Sequence, residues 1–437
     1  MSHPEKPQSL EPGNSAFQAR RDLPVLALLS VLVGVATGLV CGIFRWLLDA
    51  EEHWRNDFIS WMHNWKLAGL LGVVSIFAAA VATAAWLVRR YSPLATGSGI
   101  PHVEAVLNGK LPPEPPHLLF VKFFGGLLAL GAGLALGREG PSVQMGATLS
   151  HLIGRIFRRN SQDCLLLLAA GAGAGLSVAF NAPIAGAAFV LEELTRRFDT
   201  RTTIVTFGAS AGAIAAGRLI FGNAPDFQVG PLPYGGFGCL PLGLALGLFA
   251  GLLGVAYNRA ILGALAAAKR LGRWPVEARA AAIGGAVGLL GWFAPDLIGD
   301  GDLITQKVLI GTLGGSTLIV YFLVRFGLGP ISYAAQTPGG IFAPLLVLGS
   351  QSGLLFGQAA HYLFPATASN PLAYAITGTA ALFAAVVRAP LTGIILVVEL
   401  TGSYTQLLPM LAACFTAMLV PTLLGNPPIY DSLRAKK

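Results

Sequence analysis

A carboxylate set between glycines in an otherwise apolar stretch is the residue of this chain most able to do chemistry: Glu139, in Gly137-Arg138-Glu139-Gly140-Pro141. A charged side chain at bilayer depth costs roughly 2.5–3.5 kcal/mol on insertion scales and is a functional candidate by default. Ionised, such a carboxylate can occupy an anion site and block it; protonated, it is neutral and can swing aside. The alternative is a buried ion pair with Arg138, although glycines on both flanks favour motion over a fixed bridge. Two more glycine and proline clusters share this make-up, Gly97-Ser98-Gly99-Ile100-Pro101 and Gly339-Gly340-Ile341-Phe342-Ala343-Pro344. Each puts proline ahead of an apolar stretch, where its fixed φ and missing N–H suit a first helical turn. Helix starts that converge inside a membrane offer free N–H groups and positive dipole ends to an anion without a fixed Lys or Arg. Binding of that kind can stay weak enough for the ion to leave.

The elements that must carry these starts are membrane helices. Of 437 residues, 54% are hydrophobic and 11% charged, against about 25% charged residues in soluble domains. Runs at Leu23 to Leu48, Leu67 to Val88 and Leu118 to Leu136 are long enough to cross a bilayer, and others recur to about residue 424. A cleaved signal peptide is a poor account of the first run, which is too long and follows a polar tail with Glu5 and Glu11. Net charge is +8, but its position informs more than its sum, since Lys and Arg in short loops mark the cytoplasmic side. Basic residues gather at Arg20 and Arg21, Arg89 and Arg90, Arg155 to Arg159, Arg196 to Arg201, Lys269 to Arg273 and Arg434 to Lys437. The intervening loops carry Glu51, Glu52 and Asp57, then Asp226, then Asp296, Asp300 and Asp302. Both termini are therefore expected in the cytoplasm, with an even number of crossings.

The chain also repeats itself. Sliding Gly171–Glu192 onto Gly378–Glu399 at an offset of 207 matches Gly171 with Gly378, Pro183 with Pro390, Gly186 with Gly393 and Glu192 with Glu399. An offset of 203 pairs Pro141 with Pro344 and Gly146 with Gly349. Corresponding broken segments in two halves point to a transporter site at the repeat interface near the midplane. The expected organisation is a polar cytoplasmic tail over 1–22, a membrane domain over 23–426 and a short cytoplasmic end over 427–437 with no appended regulatory domain. The repeats would cover about 24–222 and 238–426.

The three clusters, in this order and spacing, resemble the GSGIP, G(K/R)EGP and GxFxP signatures of the CLC family of chloride channels and transporters. Lys122-Phe123-Phe124-Gly125-Gly126, Phe180-Asn181-Ala182-Pro183 and Arg388-Ala389-Pro390-Leu391-Thr392-Gly393 extend the likeness from about residue 24 to Tyr430. The resemblance implies an all-α polytopic membrane protein of two inverted repeats with many tilted and broken helices, forming a homodimer with one pathway per subunit. It further implies that the Ser98 hydroxyl, the Tyr430 phenol and the backbone N–H groups of Ile341 and Phe342 bind chloride. Taken alone, Ser98 also reads as a helix N-cap and Tyr430 as an interfacial anchor. By the same resemblance Glu139 is gate and outer proton acceptor, and Glu193 the inner proton relay. Glu192 beside it leaves the relay open, and both acids could instead pair with Arg196 and Arg197 one turn on. Glu399, at the repeat equivalent of Glu192, is expected to be structural. His102 stands where many relatives have glutamate. Serine at position 98 matches chloride-preferring members, where nitrate-preferring ones tend to have proline.

Other chemistries find little purchase. The run Gly171-Ala172-Gly173-Ala174-Gly175 lacks the strand context and ribose acid of a dinucleotide site. Walker A, HExxH and G-x-S-x-G motifs are missing, and the scattered Cys41, Cys164, Cys239 and Cys414 form no metal-ligand spacing. No cofactor, metal or nucleic-acid partner is expected, and the chain is not read as an enzyme. Its expected partners are chloride, protons and lipid, in the cell inner membrane or plasma membrane. An exchanger of chloride for protons leads, a passive voltage- or proton-gated chloride channel on the same fold is the alternative, and an intramembrane enzyme using acidic residues comes last.

Overall fold

The computed structural model describes residues 12–232, 236–368 and 370–435, with side chains described from residue 22. Residues 1–11 of the expected tail, and Lys436 and Lys437, lie outside the described residues; from Pro12 the chain is helical. Seventeen α-helices follow, and no strand occurs among the described residues. The first half contains α1 (Pro12–Met62), α2 (Lys66–Tyr91), α3 (Ile100–Leu107), α4 (Leu118–Gly131), α5 (Glu139–Ile156), α6 (Ser161–Ala179), α7 (Pro183–Phe189) and α8 (Thr200–Phe221). A π-helical turn, Val190–Leu194, extends α7. The second half contains α9 (Leu240–Arg270), α10 (Val276–Phe293), α11 (Asp302–Leu309), α12 (Gly315–Tyr333), α13 (Phe342–Leu363), α14 (Pro371–Val387), α15 (Pro390–Thr401) and α16 (Leu407–Leu423), and α17 (Ile429–Arg434) closes the chain.

Six helical stretches among the described residues are long and apolar enough to span a bilayer, while α4, α14, α15 and α16 are apolar but shorter. With eight residues each, α3 and α11 reach only about 12 Å and must begin or end within the membrane thickness. Local sequence sets these boundaries. Prolines in the first turns start α3, α7, α14 and α15, and the side chains of Asn160, Asp199 and Asn370 cap α6, α8 and α14 by accepting amide hydrogens.

The repeat read from the sequence is visible as contacts. Gly146 on α5 meets Gly171 on α6, and the equivalent Gly349 on α13 meets Gly378 on α14, each so closely that a Cβ would overlap the opposing backbone. Backbone contact through small residues is how apolar helices associate where no hydrophobic driving force separates them from lipid. A second pair of contacts is reciprocal. The Glu192 carboxylate accepts from the amides of Leu391 and Thr392 at 3.0 and 2.7 Å, and Glu399 accepts from Ile184 and Ala185 at 3.1 and 2.7 Å. All three pairs of positions differ by 207, so each half caps the α7-type helix of the other, as twofold-related repeats require. Glu192 is thus engaged by the amides of α15, and the acid beside Arg196 is Glu193.

Replacing Glu192 or Glu399 with Ala leaves two helix-start amides without their charged acceptor, at a cost of about 2 kcal/mol each. Thermal unfolding in detergent should show similar losses for the two variants; a loss confined to one would contradict their equivalence. Asp199, at the aqueous end of α8, is a smaller cap. The Thr202 amide and hydroxyl hold its carboxyl below the usual range. A depressed carboxyl stabilises above its unfolded pKa and loses that contribution as pH falls through the folded one. Asp199→Ala should therefore cost about 1 kcal/mol at neutral pH and less in acid, read from unfolding curves at several pH values.

Candidate anion site

The three glycine and proline loops are stitched to one another by backbone hydrogen bonds. Gly137 and Gly340 exchange N–H···O bonds at 2.9 and 2.7 Å, while Gly97 donates to Thr337 at 3.0 Å and accepts from Gly339 at 3.2 Å. Lys122 donates to the Gly97 carbonyl at 2.5 Å and steadies the first loop from α4. Gly99 sits at φ +84°, and a Cβ there would collide with Gln144, so only glycine suits this turn. These bonds bring the starts of α3, α5 and α13 to one place in the protein interior.

Glu139 occupies that place. Its Oε1 accepts from the Phe342 amide at 2.7 Å, its Oε2 has no hydrogen-bond partner among the described residues, and the side chain is completely buried. A carboxylate is thus seated on the first free amide of α13, the position that helix-dipole reasoning assigns to an anion. Cβ atoms at Gly137 or Gly340 would overlap its oxygens, so the flanking glycines make the slot the carboxylate fills.

Arg138 does not pair with Glu139. Its guanidinium binds Asp49 at 2.5 Å and Asp302 at 3.1 Å, lies 4.0 Å from Asp226, and donates from Nε to the Ala179 carbonyl at 3.1 Å. Asp226 is itself held by Arg45 at 2.6 Å. With its charge matched from three other segments, Arg138 neither traps Glu139 nor stands ready as a fixed cation for the anion. From sequence, the only signal for Asp226 and Asp302 was a place in acidic loops, and there was none for Asp49, which lies within α1.

The remaining expected donors lie close by. Ser98 and Tyr430 are fully buried, Ser98 against Gly140 and the Tyr430 ring 5.9 Å from that of Phe342, and neither hydroxyl has a hydrogen-bond partner among the described residues. Ile341, also buried, precedes Phe342 at the α13 start. The Phe342 ring packs on Phe180, Phe189, Phe383 and Tyr430, with centroids 4.7 to 5.9 Å away for the last three, and so ties the α13 start to α17. A cavity of about 700 Å3 is lined by Gly97 and Gly99, on either side of Ser98 in sequence, and by Pro101, Lys269, Arg279 and Tyr333.

Glu193 lies in the π-helical turn, 4% exposed, with one oxygen 3.7 Å from Arg196. Its neighbour in space is Glu104 of α3, equally buried and 3.0 Å from Arg434. Sequence reading passed over Glu104, although an acid six residues after Ser98 in an apolar helix was the available signal. His102 is buried on α3, with its Nε2 2.8 Å from Glu114.

A family model described as voltage gated chloride channel matches residues 79–422. The H(+)/Cl(-) exchange transporter ClcA of Salmonella arizonae is 36% identical over 95% of this chain and 90% of its own length, and that of Salmonella newport gives the same figures. Among solved structures, a slow cyanobacterial Cl-/H+ antiporter has a TM-score of 0.89 at 33% identity, covering 94% of this chain and 97% of that one. A CLC-type fluoride/proton antiporter, at 21% identity and a TM-score of 0.74 over 94% and 97% of the two chains, shares the fold.

If Glu139 is the occupant of an anion site, removing its carboxylate opens the Phe342 amide to a halide. Crystals of Glu139→Ala soaked in bromide should show anomalous density beside that amide, and halide affinity should rise roughly fivefold, about 1 kcal/mol. Bromide density unchanged from the parent protein would contradict the assignment.

Proposed function

Because the chain belongs to the CLC family, we propose that it is a secondary active antiporter that exchanges chloride for protons. The observation that carries the reading is the Glu139 carboxylate hydrogen-bonded to the α13 amide at 2.7 Å. A chloride ion in low dielectric needs donors in place of water, and the amides of Ile341 and Phe342 with the hydroxyls of Ser98 and Tyr430 are of the right kind. The Glu139 carboxylate and the anion compete for the same amide. A proton removes the carboxylate's charge and with it the hold of the helix start, so the side chain leaves and chloride takes its place. Chloride moving through then requires that Glu139 carry or shed a proton, which is coupling.

Glu193 supplies the inner end of the proton route in this reading. It is buried near the Arg-rich inner loops, next to a second buried carboxyl, and not consumed as a cap the way Glu192 is. The exchanger names of the relatives at 33–36% identity support the same assignment. Basic residues at the ends of α2, α9 and α17 support cytoplasmic termini and a multi-pass protein of the cell inner membrane or plasma membrane. A homodimer with one pathway per subunit follows from the family resemblance.

In liposomes, a chloride gradient should drive protons uphill. Glu139→Gln should keep chloride flux and abolish proton movement, and Glu193→Gln should do likewise. Reversal potentials under combined chloride and pH gradients read both at once. Chloride flux with no uphill proton movement in the parent protein would make it a passive channel instead.

A further inference from the structure

The inner proton site and the inner chloride site are joined by a continuous run of charged side chains. From Glu193, the run passes to Arg196 at 3.7 Å, from Arg196 to Asp431 at 3.9 Å, from Asp431 to Arg434 at 2.5 Å, and from Arg434 to Glu104 at 3.0 Å. It closes on itself, because α3 packs on the π-helical turn and both elements bury a carboxyl there, Glu104 and Glu193. Asp431 directly follows Tyr430 on α17, and Glu104 is on α3, the helix whose start carries Ser98. The Arg434–Glu104 pair therefore fastens the helix of one proposed chloride donor to the helix of the other.

We propose that Asp431 and Arg434 are positioning residues that seat Tyr430 through this run, so that a proton reaching the Glu193–Glu104 pair loosens α17 and withdraws the phenol from the anion path. This rests on the exchanger reading above. Three carboxylates and two guanidiniums make up the run, so one proton brings it to neutrality. Two facing buried carboxyls cannot both stay ionised cheaply, which makes that pair the place where the proton is held. When the proton sits on Glu104, Arg434 loses a charge-assisted partner and keeps only Asp431 on its own helix. What then remains between α17 and α3 is a neutral hydrogen bond at most, in place of an ion pair.

The surroundings suit such a movement. The link into α17 contains Gly425, at φ +61°, and the pair Pro427-Pro428, a joint between α16 and a helix of six residues. Arg388 holds the far side of this joint, donating to the carbonyls of Met418 and Asn426 and to the Thr422 hydroxyl, and leaves α17 itself free of that anchor. Other charged groups nearby are committed elsewhere: Glu192 to the α15 amides, His102 to Glu114, and Arg197 to the wall of a separate cavity with Asp199 and Arg201. Arg196 is 57% exposed, so the run also reaches inner water.

The test measures chloride and proton fluxes of the full chain in liposomes across a range of internal pH. Asp431→Asn and Arg434→Gln should each lower protons moved per chloride by about twofold, the scale of a partly exposed ion pair, and flatten the dependence of chloride flux on internal pH. Arg434→Lys should preserve both. Variants with the parent ratio and the parent pH profile would overturn the proposal. So would a chloride flux reduced by the same factor at every pH, the mark of a merely structural seat for Tyr430. If the parent protein itself moves no protons uphill, the exchanger reading falls first; parent coupling with indifferent variants removes only the positioning role.

Discussion

A backbone amide at an interrupted helix start, with a carboxylate resting on it, is the interaction on which the arrangement turns. The Phe342 N–H has no helical acceptor, because it opens α13, and inside a membrane no bulk water can take that place. Glu139 satisfies it at 2.7 Å. An amide binds an anion through a partial charge, strongly enough to replace some hydration and weakly enough to release it. A lysine at the same depth would offer a full charge, and an anion paired with it would leave slowly.

Keeping such a donor in place requires rigid backbone in the middle of the bilayer, where irregular chain is tolerated only if its polar groups are satisfied by protein. The exchange of hydrogen bonds between Gly137 and Gly340, and between Gly97 and residues 337 and 339, answers that demand. The loops satisfy one another, so the helix starts they lead into are left pointing at a common centre. Arg138 contributes by being occupied. Its binding to Asp49 and Asp302 fixes the start of α5 from outside the slot and keeps a full positive charge away from the Glu139 carboxylate.

The glycine and proline clusters, and Glu139 within them, were legible because they are local: a few consecutive residues declare a turn, a helix start and a costly charge. The repeat was legible for a related reason, since contacts that recur by symmetry leave identical residues at nearly constant offsets, 203 from Gly146 to Gly349 and 207 from Gly171 to Gly378. Partners of charged residues were not. Arg138 sits next to Glu139 in sequence yet binds acids 89 and 164 positions away, and Glu192 reaches amides about 200 positions distant instead of an arginine one turn on. Both sets of partners lie on other helices, out of reach of any rule that pairs residues along one helix.

The same reasoning explains why the C-terminal end carries more than its length suggests. Tyr430 and Ile429 are completely buried, because α17 packs against α3 and sets its tyrosine on the Phe342 ring. A helix of six residues cannot hold that position by its own hydrogen bonds. Its place is set by tertiary contacts: aromatic packing on one side and the Arg434–Glu104 pair on the other. Packing does not change with protonation, whereas a carboxylate–guanidinium pair does. Of the contacts that seat the short α17, the Arg434–Glu104 pair is therefore the one whose strength depends on a proton, and α17 is the element that carries a proposed chloride donor.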